Sequence, residues 1–125
     1  MWARHNENPD GRNVGDCTVR AISTALKQNW ETAYVGLSLQ GFLMGDMPSA
    51  NHVWGAYLRE MGFRRAVIPN ERPDCYTVAD FAAEHPSGTY ILSLSGHVVC
   101  VMDGDYYDTW DSGGEVPLYY WCKEE

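Results

Sequence analysis

The strongest constraint on the fold is a change of hydrophobic period along the chain. Up to Gly62 the apolar residues recur at helical spacing, and after Gly88 every apolar stretch reads as strand. "TYILSL", "HVVCVM", "YYDTW" and "VPLYYWC" are rich in aromatic and β-branched residues and are separated by Gly and Asp turns. Helices first and antiparallel strands last predict an α+β domain, with N-terminal helices packed on a C-terminal antiparallel sheet. A length of 125 residues suits one domain spanning 1–125 and is short for two.

The helical half divides into three segments. Asp16 is placed as the N-cap of a first helix that starts at Cys17 and carries Val19, Ile22, Ala25 and Leu26 on one side. Asn29 opens a second pattern through Trp30, Ala33, Tyr34 and Leu37, fading near Gly41. A third runs from Ser49 through Val53, Trp54, Tyr57, Leu58 and Met61 and stops at Gly62. "FRRAVIP" then reads as a strand closed by Pro69, and Thr77 with Asp80 forms a capping box for a short helix ending at "HPSG". The aromatic residues of the third helix and last strand are assigned to core packing.

In "NVGDCTVRAISTAL" a cysteine stands at the first position of a helix. Unpaired N–H groups and the positive dipole end lower a thiol pKa there, and the same N–H groups can hold an oxyanion. Cys17 is therefore the candidate nucleophile, against the plainer alternative of a small packing residue. Of the four histidines, His5 and His85 are expected in solvent and His52 on a helix surface. His97 follows Gly96 and opens a strand, which would hold its ring at the rim of a sheet, and it is the candidate base.

The hairpin "HVVCVMDGDYYDTWD" supplies a third member. A two-residue type I′ turn at Asp103-Gly104 places Asp108 opposite Val99, on the same face as His97. A three-residue loop would instead place Asp111 opposite His97. Asp-Gly is the strongest short hairpin signal, so Asp108 is favoured, with Asp111 as the alternative. In either register a carboxylate can orient the imidazole and stabilise its protonated form.

A cysteine opening the first long helix, a histidine opening a late strand and an aspartate on the partner strand together resemble the papain-like cysteine peptidase superfamily. "DTW" at 108–110 is similar to the Asn-Ser-Trp of papain, in which the tryptophan shields the contact between histidine and asparagine. The resemblance spans about Asn13 to Asp111 and extends to small proteins of bacteriophages and Gram-positive bacteria. It implies a papain-like fold, a Cys17–His97–Asp108 triad shielded by Trp110, a thioester acyl-enzyme, and a peptide or protein substrate without a cofactor. The chain departs from the family where a glutamine usually stands six residues before the cysteine. Gly11 occupies that place, and Asn13 is the nearest amide that could complete an oxyanion hole.

Three other readings compete. A metal site from Cys75, His85, His97 and Cys100 lacks paired ligand spacing, and His97 and Cys100 would point to opposite faces of one strand. A papain-like fold without turnover could bind and block a host protein through its acidic, aromatic surface. The same triad also serves transglutaminases and acyltransferases. Nine Lys and Arg against seventeen Asp and Glu give a charge of -8, which disfavours nucleic acid and anionic lipid as partners. With no secretory or membrane-spanning stretch and four scattered cysteines, the expectation is a cytoplasmic protein with reduced thiols. The oligomeric state is not encoded in these features.

Overall fold

The computed structural model describes residues 1–68 and 76–123. Four helices and six strands follow in the order β1 (Trp2–Arg4), α1 (Cys17–Leu26), α2 (Trp30–Met44), α3 (Asn51–Glu60), β2 (Phe63–Val67), α4 (Val78–Glu84), β3 (Thr89–Leu94), β4 (His97–Met102), β5 (Asp105–Asp108) and β6 (Tyr119–Lys123). The strands form one sheet ordered β1-β5-β4-β3-β6-β2. All neighbours pair antiparallel except β1 and β5, which run parallel. The α+β composition is therefore as expected, and the parallel edge corrects the expectation of a wholly antiparallel sheet.

Alternation along the central strands divides the core. Ile91, Val98, Cys100 and Trp121 join a cluster with Val19 and Ile22 of α1, Leu37 of α2, and Trp54 and Leu58 of α3. Leu92, Leu94, Val99 and Val101 join a second cluster with Val78, Phe81 and Ala82 of α4. The capping box at the start of α4 forms, with Thr77 Oγ1 accepting from Asp80 N–H at 3.2 Å and Asp80 Oδ2 accepting from Thr77 N–H at 3.0 Å.

Several local expectations change. Asp16 holds the N-cap position of α1, but its side chain makes no capping bond there. The carboxylate turns inward to partners that a surface cap would not have. Gly41 does not end α2: it packs against the following loop, where an added Cβ would stand 2.6 Å from the Asp46 carbonyl oxygen. The helix continues to Met44 and stops at Gly45, whose φ of 70° is readily adopted only by glycine. Trp2–Arg4 forms β1, a strand that the hydrophobic pattern does not mark. Pro69 and Cys75 fall outside the described residues. Among the described residues no helix is long and apolar enough to cross a membrane.

Candidate active site

Cys17 is the first residue of α1 and is half-buried, and His97 acts on its thiol through hydrogen bonding and charge. Because Asp16 does not cap the helix, no side chain of that residue competes for the N–H groups beside the sulfur. The thiolate and a developing oxyanion can both use this end of the helix.

The β4–β5 hairpin turns through Asp103 at φ 51° and Gly104 at φ 86°, the paired left-handed conformation of a type I′ turn. Cys100 faces Tyr107, Val101 faces Tyr106 and Met102 faces Asp105. Asp108 is the last residue of β5, one position beyond the last pair of this ladder. His97 Nε2 donates to Asp108 Oδ2 at 2.6 Å, which leaves Nδ1 as the nitrogen available to the thiol. Asp111 lies elsewhere. It is exposed and accepts from the Tyr106 hydroxyl at 2.6 Å and from Gly113 N–H at 3.0 Å, so it fastens the 111–113 loop rather than the histidine.

Asp108 is only 3% exposed, and a buried carboxylate needs compensation. Ser112 Oγ donates to Oδ2 at 2.8 Å, Thr109 N–H to Oδ1 at 2.8 Å, and the Arg20 guanidinium stands 3.6 Å from Oδ1. Arg20 also pairs with Asp16, four residues earlier, and Asp16 accepts from the Trp30 indole at 2.9 Å. Arg20 thus links the carboxylate under the histidine to the carboxylate before the cysteine. The sequence reading missed this role, although the i,i+4 spacing of Asp16 and Arg20 was its available signal. Ser112 left no comparable signal.

These contacts set the proton positions. Burial works against the Cys17 thiolate, but the hydrogen bond and charge of His97, the Val98 backbone and the Arg20 charge outweigh it, and the pKa falls below its ordinary value. Burial likewise opposes protonation of His97, yet the bonds to Asp108 and Cys17 raise its pKa to about 9. Burial would raise the Asp108 pKa, but the His97 and Ser112 hydrogen bonds, the His97 charge and the Thr109 backbone bring it below the usual value. These shifts favour a thiolate beside an imidazolium held by a carboxylate. Cys100, by contrast, is fully buried and its thiol is pushed upward by that burial.

Trp110 follows Asp108 by two residues, and its ring centroid lies 5.1 Å from that of His97. Asn13 and Gly11 are both exposed and line a pocket of about 540 Å³ that shares Trp110 with the site. The remaining histidines stand apart. His5 bonds Glu7, and His52 pairs with Asp46 at 2.9 Å. His85, expected in solvent, is half-buried, stacked on Phe81 at 3.8 Å and bonded through Nδ1 to the Phe81 carbonyl at 2.7 Å. It caps an aromatic cluster that sequence spacing does not show. Cys75 of the metal reading lies outside the described residues, among which no three His, Cys, Asp or Glu side chains are grouped to hold a metal ion. No family model, curated protein or solved structure matches the chain.

Proposed function

We propose that the chain is a papain-like cysteine hydrolase, a peptidase or amidase that works through Cys17, His97 and Asp108. The observation that carries this reading is the 2.6 Å bond from His97 to the buried Asp108, with His97 in turn acting on the thiol of a cysteine at the first position of α1. The Cys17 thiolate adds to the carbonyl carbon of the substrate, and the displaced electron pair rests on the carbonyl oxygen at the α1 N-terminus, with Asn13 as the candidate amide donor. The carbon–nitrogen bond breaks as the His97 imidazolium gives its proton to the leaving amine. A thioester and a neutral imidazole remain. Imidazole then takes a proton from water, the hydroxide adds to the thioester, and the acid leaves as Cys17 returns to thiolate and His97 to imidazolium. Attack by an amine instead of water would give acyl transfer from the same intermediate.

The test is site-resolved mass spectrometry after brief, limiting iodoacetamide treatment of the wild type and His97→Ala. Cys17 is expected to label first in the wild type and more slowly in the variant. Equal labelling in both would overturn the activated nucleophile. One observation favours a second reading, a binding protein that retains the fold without turnover: Val35, Leu39, Phe42 and Leu43 of α2 are 65%, 56%, 81% and 70% exposed. That reading stands if Cys17 labels no faster than a thiol in the unfolded chain.

A further inference from the structure

The pocket beside Trp110 carries a cationic side chain and no acidic one, on a chain that is acidic as a whole. Arg4, His5, Asn6, Asn13, Thr109 and Trp110 line it, and no Asp or Glu is among its described lining residues. The sequence carries seventeen acidic and nine basic residues. His5 is already bonded to Glu7, and Asn6 is held by the Asn8 N–H at 3.0 Å and the Arg12 carbonyl at 3.3 Å. Arg4 is exposed and makes no ion pair among the described residues. One uncompensated guanidinium therefore dominates the pocket.

Its position relative to the reacting atoms is fixed by the sheet. Arg4 lies directly across from Asp108 in the β1–β5 register, about 4.8 Å away by strand spacing and on the same face. The Asp108 carbonyl is held by the His5 N–H at 3.0 Å and by the Trp2 indole at 3.2 Å, so β1 cannot slide without moving the residue that orients His97. Trp110 touches His97 on one side and walls the pocket on the other.

We propose that this pocket receives a carboxylate carried by the substrate on the Trp110 side of the scissile bond, with Arg4 as its charge partner. The proposal rests on the cysteine hydrolase reading. A guanidinium presents two parallel N–H groups that match the two oxygens of a carboxylate. A single cation suits a singly charged group better than a phosphate dianion on a chain of charge -8. The carboxylate can be a peptide C-terminus or an acidic side chain.

Three haloacetyl peptides that alkylate Cys17 distinguish these sources: chloroacetyl-Gly-Gly with a free C-terminus, chloroacetyl-Gly-Gly-amide, and chloroacetyl-Gly-Glu-amide. The rate at Cys17 is read by site-resolved mass spectrometry. At least one carboxylate probe should react about tenfold faster than the neutral amide probe, the factor expected of one charge-assisted pair. Preference for the free acid alone assigns a C-terminal carboxylate, and preference for the Glu probe assigns an acidic side chain. Arg4→Gln should bring the acid-to-amide ratio close to one, and Arg4→Lys should retain part of it. Equal rates for all three probes in the wild type, or a preference that survives Arg4→Gln, overturns the proposal. Failure of the hydrolase reading shows separately, as a Cys17 rate toward the neutral amide probe no higher than in the urea-unfolded chain, because the ratio does not depend on the absolute rate.

Discussion

Arg20 is the residue whose loss should cost most outside the reacting groups. It lies 8% exposed between the carboxylates of Asp16 and Asp108, so Arg20→Met leaves two buried anions without their shared cation. Breaking such an arrangement from one side costs about 3 kcal/mol or more, to be read as a lower urea midpoint. Arg20→Lys should recover only part, since a point charge cannot face both carboxylates as a planar guanidinium does. The two aspartates offered by the hairpin should separate cleanly. Asp108→Ala removes the acceptor of His97 Nε2 and should lower turnover by orders of magnitude, up to about 10⁴-fold. Asp111→Ala frees the Tyr106 hydroxyl and the 111–113 loop, so its effect belongs to thermal stability, and the ratio of the two activities checks the assignment. Cys17, His97 and Asp108 were legible because each stands at an element boundary marked by local turn chemistry. Arg20 was hidden because α1 is buried nearly all round, including Thr18, Ser23 and Thr24, and a polar residue inside it looks like a solvent face until the neighbours are known.

At the scale of elements, the β4–β5 hairpin is what joins histidine to carboxylate, and its register was readable from Asp103-Gly104 alone. Side chains alternate with a period of two, so inserting one glycine after Gly104 should displace Asp108 from the His97 face. The insertion should reduce Cys17 alkylation to the level of Asp108→Ala, measured by the same limiting labelling. An insertion mutant that labels like the wild type would show that the turn does not set the site. Short-range signals of this kind also exposed the capping box of α4 and the Asn29 cap of α2, where Asn29 Oδ1 accepts from the Thr32 N–H at 2.8 Å. They failed for β1. A three-residue strand has no period to detect, and its partner β5 lies about a hundred residues away in the sequence, so only the folded chain shows that Arg4 stands beside Asp108. They failed also at Asp16, where an N-cap residue type is used to pair Arg20 and Trp30 instead.

The whole molecule binds these local shifts to pH. The folded His97 pKa is raised to about 9 from 6.5, so its contribution to stability is complete below pH 6.5 and is lost as the pH rises through about 9. The Asp108 pKa is lowered from 3.8, so its contribution is present above pH 3.8 and is lost as the pH falls through the folded value. Between these limits Asp108 is a carboxylate and His97 an imidazolium. A plot of kcat/KM against pH should therefore fall on the alkaline side near pH 9, when His97 can no longer protonate the leaving amine. The acid side should follow the Cys17 thiolate, whose pKa lies below its ordinary 9.0. Alkylation by iodoacetamide isolates that second group, because it needs only the thiolate and no proton donor. Its midpoint in the wild type should lie below pH 9.0. In His97→Ala the hydrogen bond and the positive charge are removed, while the burial that opposes ionisation of Cys17 persists, so the midpoint should move upward. A midpoint that stays in place would mean that the helix N-terminus and Arg20 set the thiolate without the histidine, and the triad would then have no acid–base partner for its nucleophile.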